Sequence, residues 1–333
     1  MYKNSIGALY SLSNFKVNIR KRNKTNISVN KEEYNKIVKF IKDNSIKYYW
    51  REGFMPSVFD NIKPKPFLVY LLWNSDILEK NWYKYISIVW PRKPTKYAVS
   101  IIEKLIKLLS EYNNVVTVSW LAVGIDSLVH NLSIKYNIPT IAVLWWGMGR
   151  YLKNSKDKIL KIVNKWWLVI SEFKLFQSPE RYTFPQRNRI IAWLGDLVFV
   201  PEAWENSGSL ITVDFAIKFW KSVYWCPNNI FVLESKGINK YIAKWKVKPV
   251  YDIKKFVENI FGKPQKNNID FELFDNLDNV DIKIVDAIKN WYDTVNKIAV
   301  YIWISPSQLL SKLTMLEIKG IVKQDSPWFY KLN

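Results

Sequence analysis

Three arginines and an aromatic ring crowd one short stretch: Arg181, Phe184, Arg187 and Arg189, with Asn188 between the last two arginines. A guanidinium is a permanent cation whose forked donors match phosphate oxygens, and an aromatic face stacks a base of any identity. Downstream, the apolar run Leu197–Val200 ends at Pro201 and Glu202, and Ser207-Gly208-Ser209 then opens a helical pattern from Leu210 to Phe219. A small, hydroxyl-rich turn between a strand and a helix presents backbone N–H groups and the positive helix end to an anion such as phosphate. Cations, a stacking ring and an anion turn together point to a grip on nucleic acid. Asn188 has the chemistry to orient that turn or to cap a helix. The plainer reading of Phe184 is a core ring beside Pro185, although a core position has no use for three neighbouring arginines.

Other chemistries are poorly supplied. His130 is the only histidine and Cys226 the only cysteine. That removes an intramolecular disulfide, a cysteine zinc site and a His-rich metal site, and leaves acid–base catalysis without its commonest residue. No metal, no cofactor and no catalytic residue is expected, and a reducing cytoplasm fits. The net charge is +21 over 333 residues, which favours a polyanionic partner: nucleic acid first, an anionic membrane surface second. The bland account of that charge is the lysine-rich composition of an AT-rich genome. No run approaches the roughly 18 apolar residues of a membrane span, and the N-terminus lacks a signal-peptide core, so no membrane insertion is expected.

Holding these groups together requires alternating strands and helices. Short apolar runs at Ile86–Val89, Val115–Val118, Thr140–Leu144, Leu168–Ile170, Leu197–Val200 and Ser222–Cys226 read as buried strands. Between them Thr95 is an N-cap, and Ala98, Ile101, Ile102, Leu105, Ile106 and Leu109 share one helical face. A further helix is expected from about Asp126 to Tyr136, with Asp126 as a first-turn cap and His130 as a packed polar residue. This order predicts a doubly wound, mostly parallel α/β sheet, whose ligands bind at the carboxyl ends of its strands.

The segments FPQRNRIIAW and EAWENSGSLIT, with SWLAVGIDSLVH and IVWPRKPT upstream, resemble the DNA-processing protein A family, also called Smf, of bacterial transformation and recombination proteins. Matching motifs run in order from about residue 55 to residue 252, and a weaker match continues to the end. The resemblance implies an extended Rossmann-like fold followed by a small winged-helix domain. It further implies that Arg92 meets the DNA backbone with Lys93 beside it, and that Arg181 and Phe184, three residues apart, form a pocket for single-stranded DNA. Arg187, Asn188, Arg189, Ser207, Gly208 and Ser209 complete the DNA-binding set. Leu144 to Tyr151 is similar to the family's glycine-rich turn and tyrosine. Two positions depart: Val123 stands where the family has arginine, and Asn228 where it has glycine.

The function implied is sequence-independent binding of single-stranded DNA by a cytoplasmic homodimer that protects incoming strands and loads the RecA recombinase. One rival is a Rossmann-type nucleotide-processing hydrolase, which needs a carboxylate one turn into the helix after the serine turn. Thr212 stands there, Asp214 is offset and Glu202 precedes the turn. Another is a winged-helix transcriptional regulator, which would prefer particular duplex sequences.

Tryptophan outnumbers glycine, 17 to 10, although glycine ordinarily supplies about 7% of a chain. Trp73, Trp90, Trp120, Trp145, Trp193, Trp220, Trp245, Trp303 and Trp328 stand where the resembling family carries glycine, and Trp204 fits with them. One expectation is that UGA codons meaning glycine, as in some bacterial lineages, have been read as tryptophan. The alternative is a genuinely tryptophan-rich protein with a filled pocket, and UGG codons at Trp90 and Trp120 would establish it.

Residues 1–54 read as a basic, mostly helical appendage, with Lys16, Arg20, Lys21, Arg22 and Lys24 preceding the amphipathic Tyr34, Ile37, Val38 and Ile41. Residues 55–261 read as the Rossmann-like domain, 262–272 as a linker and 273–333 as the winged-helix-like domain. In the last, Ser305-Pro306 opens a third helix with Leu309, Leu310, Leu313 and Leu316 on one face, ahead of a short hairpin. Lys312 and Lys319 are that helix's only cations, so a protein contact competes with duplex binding.

Overall fold

The computed structural model describes residues 31–51, 55–79, 82–89, 94–121, 124–154, 156–165, 167–180, 183–205, 207–244, 246–264, 278–289 and 292–332. The chain divides into two compact units, Met1–Pro264 and Gln265–Asn333.

In chain order the first unit runs α1 (Lys31–Asp43), β1 (Ile46–Trp50), β2 (Leu68–Trp73), β3 (Lys84–Ile88), α2 (Lys96–Leu109), β4 (Val115–Trp120), α3 (Ile125–Lys135) and β5 (Thr140–Val143). It continues with α4 (Met148–Asn154), α5 (Lys156–Val163), β6 (Leu168–Ser171), α6 (Thr183–Leu194), β7 (Leu197–Val200), α7 (Gly208–Lys218), β8 (Ser222–Trp225), α8 (Lys236–Ala243), β9 (Lys248–Pro249) and α9 (Ile253–Phe261). One nine-stranded sheet joins them in the order β1-β2-β6-β5-β4-β3-β7-β8-β9. From β6 to β9 every neighbouring pair is parallel, and β2 and β1 extend the β6 edge in antiparallel fashion.

The expected helix faces and strands are present. Ala98, Ile101, Ile102, Leu105, Ile106 and Leu109 are all buried, and Thr95 caps α2 by accepting from the Ala98 N–H. Strand β7 lies inside the sheet between β3 and β8 and alternates as a strand covered on both faces must. Leu197 and Phe199 join the cluster made with α2, α3 and α9, while Val198 and Val200 join the one made with α6 and α7. Helix α6 thereby lies across β3, β4 and β5 and beside α7.

The N-terminal segment does more than append a helix. Residues 46–50 pair with β2 from Ile46 opposite Leu72 to Trp50 opposite Leu68, so they are part of the main sheet. Strand β2, LVYLLW, is the continuous apolar run expected of a strand buried on both faces.

The second unit contains α10 (Asn279–Lys289), α11 (Val295–Ile302), α12 (Pro306–Ile318) and the hairpin β10 (Val322–Ser326) and β11 (Phe329–Leu332). Leu309, Leu313 and Leu316 of α12 are buried against Ile284, Ile298 and Val322. Ser305 and Gln308 form a reciprocal capping box with Pro306 at the helix start.

Candidate nucleic-acid interface

The chain winds outward from β3 in one direction through β4, β5 and β6, and from β7 in the other through β8 and β9. In such sheets the crevice where the winding reverses, at the strand carboxyl ends, receives the ligand. The loop after β3 and the loop after β7 flank that crevice here. They are joined by Glu202, a fully buried carboxylate that accepts from the Thr95 N–H (3.0 Å) and from the Thr95 hydroxyl. The α2 start is thereby fixed to the end of β7.

Beside this junction a line of contacts crosses from one strand end to the next. Trp120 closes β4 with its indole buried, and the Arg187 guanidinium lies 4.3 Å from that ring's centroid. Arg187 Nε and Nη2 donate to the Asn188 side-chain oxygen at 3.3 and 3.0 Å. Asn188 Nδ2 in turn donates to the Gly208 carbonyl at 3.2 Å. Ser207 is the N-cap of α7 and accepts from the Ser209 N–H, and the two hydroxyls lie 2.6 Å apart. A helix N-terminus is the positive end of its dipole. The structure therefore brings Arg187, Asn188, Ser207, Gly208 and Ser209 into one place at the start of α7, with the Arg187 and Asn188 side chains fully buried.

Arg189 points elsewhere. Its Nη2 meets Glu172 Oε2 at 2.6 Å, with both side chains almost wholly buried. Burial pushes the Glu172 carboxyl up to about 7, and the Arg189 cation pulls it back only in part. This guanidinium holds α6 to the loop after β6. Arg92, Lys93 and Arg181 lie outside the described residues. Phe184 lies in the first turn of α6, and its side chain lies outside them as well.

The β4–α3 turn supports the site from below. Gly124 takes φ 107 and ψ −140, a conformation open to glycine alone, as the N-cap residue of α3. Asp126 is buried with its Oδ1 3.1 Å from the Ser119 hydroxyl. His130 is a packed polar residue: Nε2 donates to the Trp120 carbonyl at 2.9 Å, and Nδ1 accepts from Thr140 Oγ1 at 2.8 Å. Burial holds its pKa down to about 4, so the ring is neutral at physiological pH. In the next turn Gly147 is required by close approach, since a Cβ there would stand 2.2 Å from the carbonyl oxygens of Lys174 and Leu175. Tyr151 donates from its hydroxyl to the Leu121 carbonyl at 3.0 Å.

Thr212, one turn into α7, is fully buried, and Asp214 lies on the outer face, accepting from the Tyr241 hydroxyl at 2.7 Å. Burial pushes the Cys226 thiol up to about 12. Among the described residues no group of three or more His, Cys, Asp or Glu could hold a metal ion. None of their helices is long and apolar enough to cross a membrane. In the second unit, Lys312 reaches Asp281 at 3.0 Å and also bonds Asp278, while Lys319 lies 3.9 Å from Asp281.

Sequence reasoning missed Glu202 as the junction of two strand ends and Glu172 as the partner of Arg189. A glutamate immediately after a buried strand was the available sign of the first.

A sheet wound both ways from β3 and β7, with arginine, asparagine and a serine-capped helix start at its strand ends, defines a Rossmann-like α/β protein with a polar strand-end site. The chain belongs to the DNA recombination-mediator protein A family, whose model matches residues 47–261. It is 32% identical over 189 residues to the DNA processing protein DprA of Streptococcus pneumoniae, covering 57% of this chain and 65% of that protein. It is 36% identical over 152 residues to the protein Smf of a Synechocystis species, covering 46% and 38%. The chain thus matches two thirds or less of the length of these relatives.

Among solved structures, the X-ray structure of S. pneumoniae DprA aligns with a TM-score of 0.58 at 29% identity, covering 69% of this chain and 80% of that one. DNA processing protein A from Helicobacter pylori, solved for its single-stranded DNA binding mode, aligns with a TM-score of 0.56 at 24% identity, covering 65% and 95%.

Proposed function

We propose that this protein is a non-catalytic, sequence-independent binder of single-stranded DNA that works in the cytoplasm during transformation or recombination. The observation that carries this reading is the junction of Arg187, Asn188 and the Ser207-Gly208-Ser209 turn after the carboxyl end of β7. Arg187 and Asn188 are fully buried there and hold the turn in place, and the positive N-terminus of α7 that they fix suits phosphate oxygens. Membership of the recombination-mediator family supports the same partner. Arg92, Lys93 and Arg181 supply further phosphate contacts, and Phe184 stacks a base, worth about 1–3 kcal/mol whatever its identity. Arg189 acts through position, by fixing α6 against Glu172.

The bound strand is protected and passed to RecA by a homodimer. The hydrolase reading has no carboxylate at Thr212 to support it. The second unit reads as a winged helix that meets a protein rather than duplex DNA, because Lys312 and Lys319 are already engaged by Asp278 and Asp281.

Competition of mixed-sequence single strands, homopolymers and duplex for the full chain tests the proposal. Single strands of any sequence should win over duplex. Preference for one duplex sequence, or indifference to strandedness, would refute it.

A further inference from the structure

Six described residues other than glycine take a left-handed φ: Ser45, Trp73, Asn137, Trp220, Trp303 and Trp328. Small polar residues such as serine and asparagine reach this region at modest cost, because their side chains bond locally. An indole gains nothing there, and its Cβ crowds the following carbonyl oxygen. Yet four of the six are tryptophan.

The hydrogen bonds show one turn built with and without glycine. Helix α12 ends at Gly320, φ 69, whose N–H donates to Glu317 O at 2.8 Å while the Ile321 N–H donates to Leu316 O at 2.9 Å. Those two bonds make a Schellman turn, whose left-handed position glycine normally fills. Helix α7 ends identically at Trp220, φ 59: its N–H donates to Ile217 O at 3.0 Å and the Lys221 N–H to Ala216 O at 2.9 Å. Helix α11 ends at Trp303, φ 58, with the Ile304 N–H donating to Ala299 O at 3.2 Å.

The hairpin tip repeats the pattern in another kind of turn. Ser326 pairs with Phe329, leaving Pro327 and Trp328 as the two loop residues, and Trp328 has φ 72. Proline followed by a residue of positive φ is the type II arrangement, in which glycine takes the second place. Trp73, φ 71, is the last residue of β2.

Packing gives no reason for indoles at the three turn positions. Trp220 is 95% exposed, Trp303 93% and Trp328 62%, whereas a tryptophan kept for its ring contributes by burying it. Independent substitutions would have to choose the same bulky residue at the same disfavoured backbone conformation each time. One reassigned codon does so in a single step, and it also accounts for 17 tryptophans against 10 glycines.

We propose that positions 73, 220, 303 and 328 are glycine in the protein as its own cell makes it, each encoded by UGA read there as glycine. This rests on backbone conformation and exposure, independently of what the strand-end site binds. Trp82 is the internal contrast: it is exposed and stacks on Tyr83, and it has no left-handed φ.

The test has two arms. Codons at the four positions, with peptide masses of the protein isolated from its native source, should read UGA and glycine. UGG, or tryptophan masses, overturns the proposal. In the second arm the full chain carries Trp→Gly or Trp→Ala singly at 220, 303 and 328, and at Trp82 as control. At the three turn positions glycine should raise the unfolding midpoint above both tryptophan and alanine, while at Trp82 alanine should equal or exceed glycine. Alanine matching glycine at all three turn positions overturns the left-handed assignment and the proposal with it.

Discussion

Replacing Arg189 by leucine should destabilise the protein in a way that depends on pH. Arg189 and Glu172 form an ion pair at 2.6 Å with side-chain exposures of 2% and 4%. Losing one partner of a buried pair leaves the other charge uncompensated and costs about 3–5 kcal/mol. Glu172 sets when that full cost applies, because its folded pKa of about 7 lies above its ordinary 4.5. The carboxyl therefore holds a proton more tightly folded than unfolded. Its contribution is complete below the unfolded value and is lost as pH rises through about 7. Removing the cation drives that folded pKa higher still.

Urea unfolding of Arg189→Leu should show the full loss near pH 8. Near pH 5.5, where the carboxyl stays protonated, the loss should be smaller by about 1.4 kcal/mol, the linkage energy of one pH unit above the folded pKa of about 7. Adding Glu172→Gln should recover much of the loss at the higher pH. Equal costs at both pH values, or no rescue, would refute the buried-pair account. In the fraction that folds, affinity for single-stranded DNA should change little, because Arg189 acts through position.

Three further outcomes follow from the geometry. Gly147→Ala should destabilise by at least about 2 kcal/mol in thermal or urea unfolding, since its Cβ meets two backbone oxygens at 2.2 Å. A small effect would contradict that close approach. Asn188→Ala should cost about 1–2 kcal/mol by releasing the Gly208 carbonyl, and it should weaken single-strand binding more than Arg189→Leu does. The His130 ring, held to about 4 by burial, should show no NMR titration between pH 5 and 8. Its contribution to stability is present above its ordinary 6.5 and is lost as pH falls through about 4, so a midpoint near 6.5 would contradict its burial.

Much of the fold was legible because periodicity is local. The α2 face, the Thr95 cap, the serine turn ahead of α7 and the central strands each announce themselves within about one element's length. Strands β1 and β2 were not read as sheet. Ile46–Trp50 is short and mixed in polarity, and its partner lies across a long connection, so the pairing exists only in the folded chain.

The site divides along the same line. Serine, glycine and asparagine next to a strand end signal an anion turn by type alone. Whether an arginine faces solvent or the core depends on residues far along the chain: Arg189 meets Glu172, 17 residues away, and Arg187 lies on the Trp120 indole. Glu202 reaches Thr95 across 107 residues, a link no spacing rule reveals. The tryptophans show both kinds of legibility. Resemblance picked out Trp73, Trp220, Trp303 and Trp328, and their backbone picks them out again, whereas Trp145 and Trp193 have no left-handed φ.

The most direct test of single-strand binding is the salt dependence of affinity for a mixed-sequence single-stranded oligonucleotide, measured by fluorescence anisotropy with the full chain. Each phosphate neutralised should add about −0.7 to the slope of log affinity against log salt. The intact protein should show a slope of several contacts. Arg181→Ala should make it shallower, and Phe184→Ala should weaken binding while leaving it unchanged. A flat salt dependence, or one that neither substitution alters as described, would contradict a groove built from cations and a stacking ring.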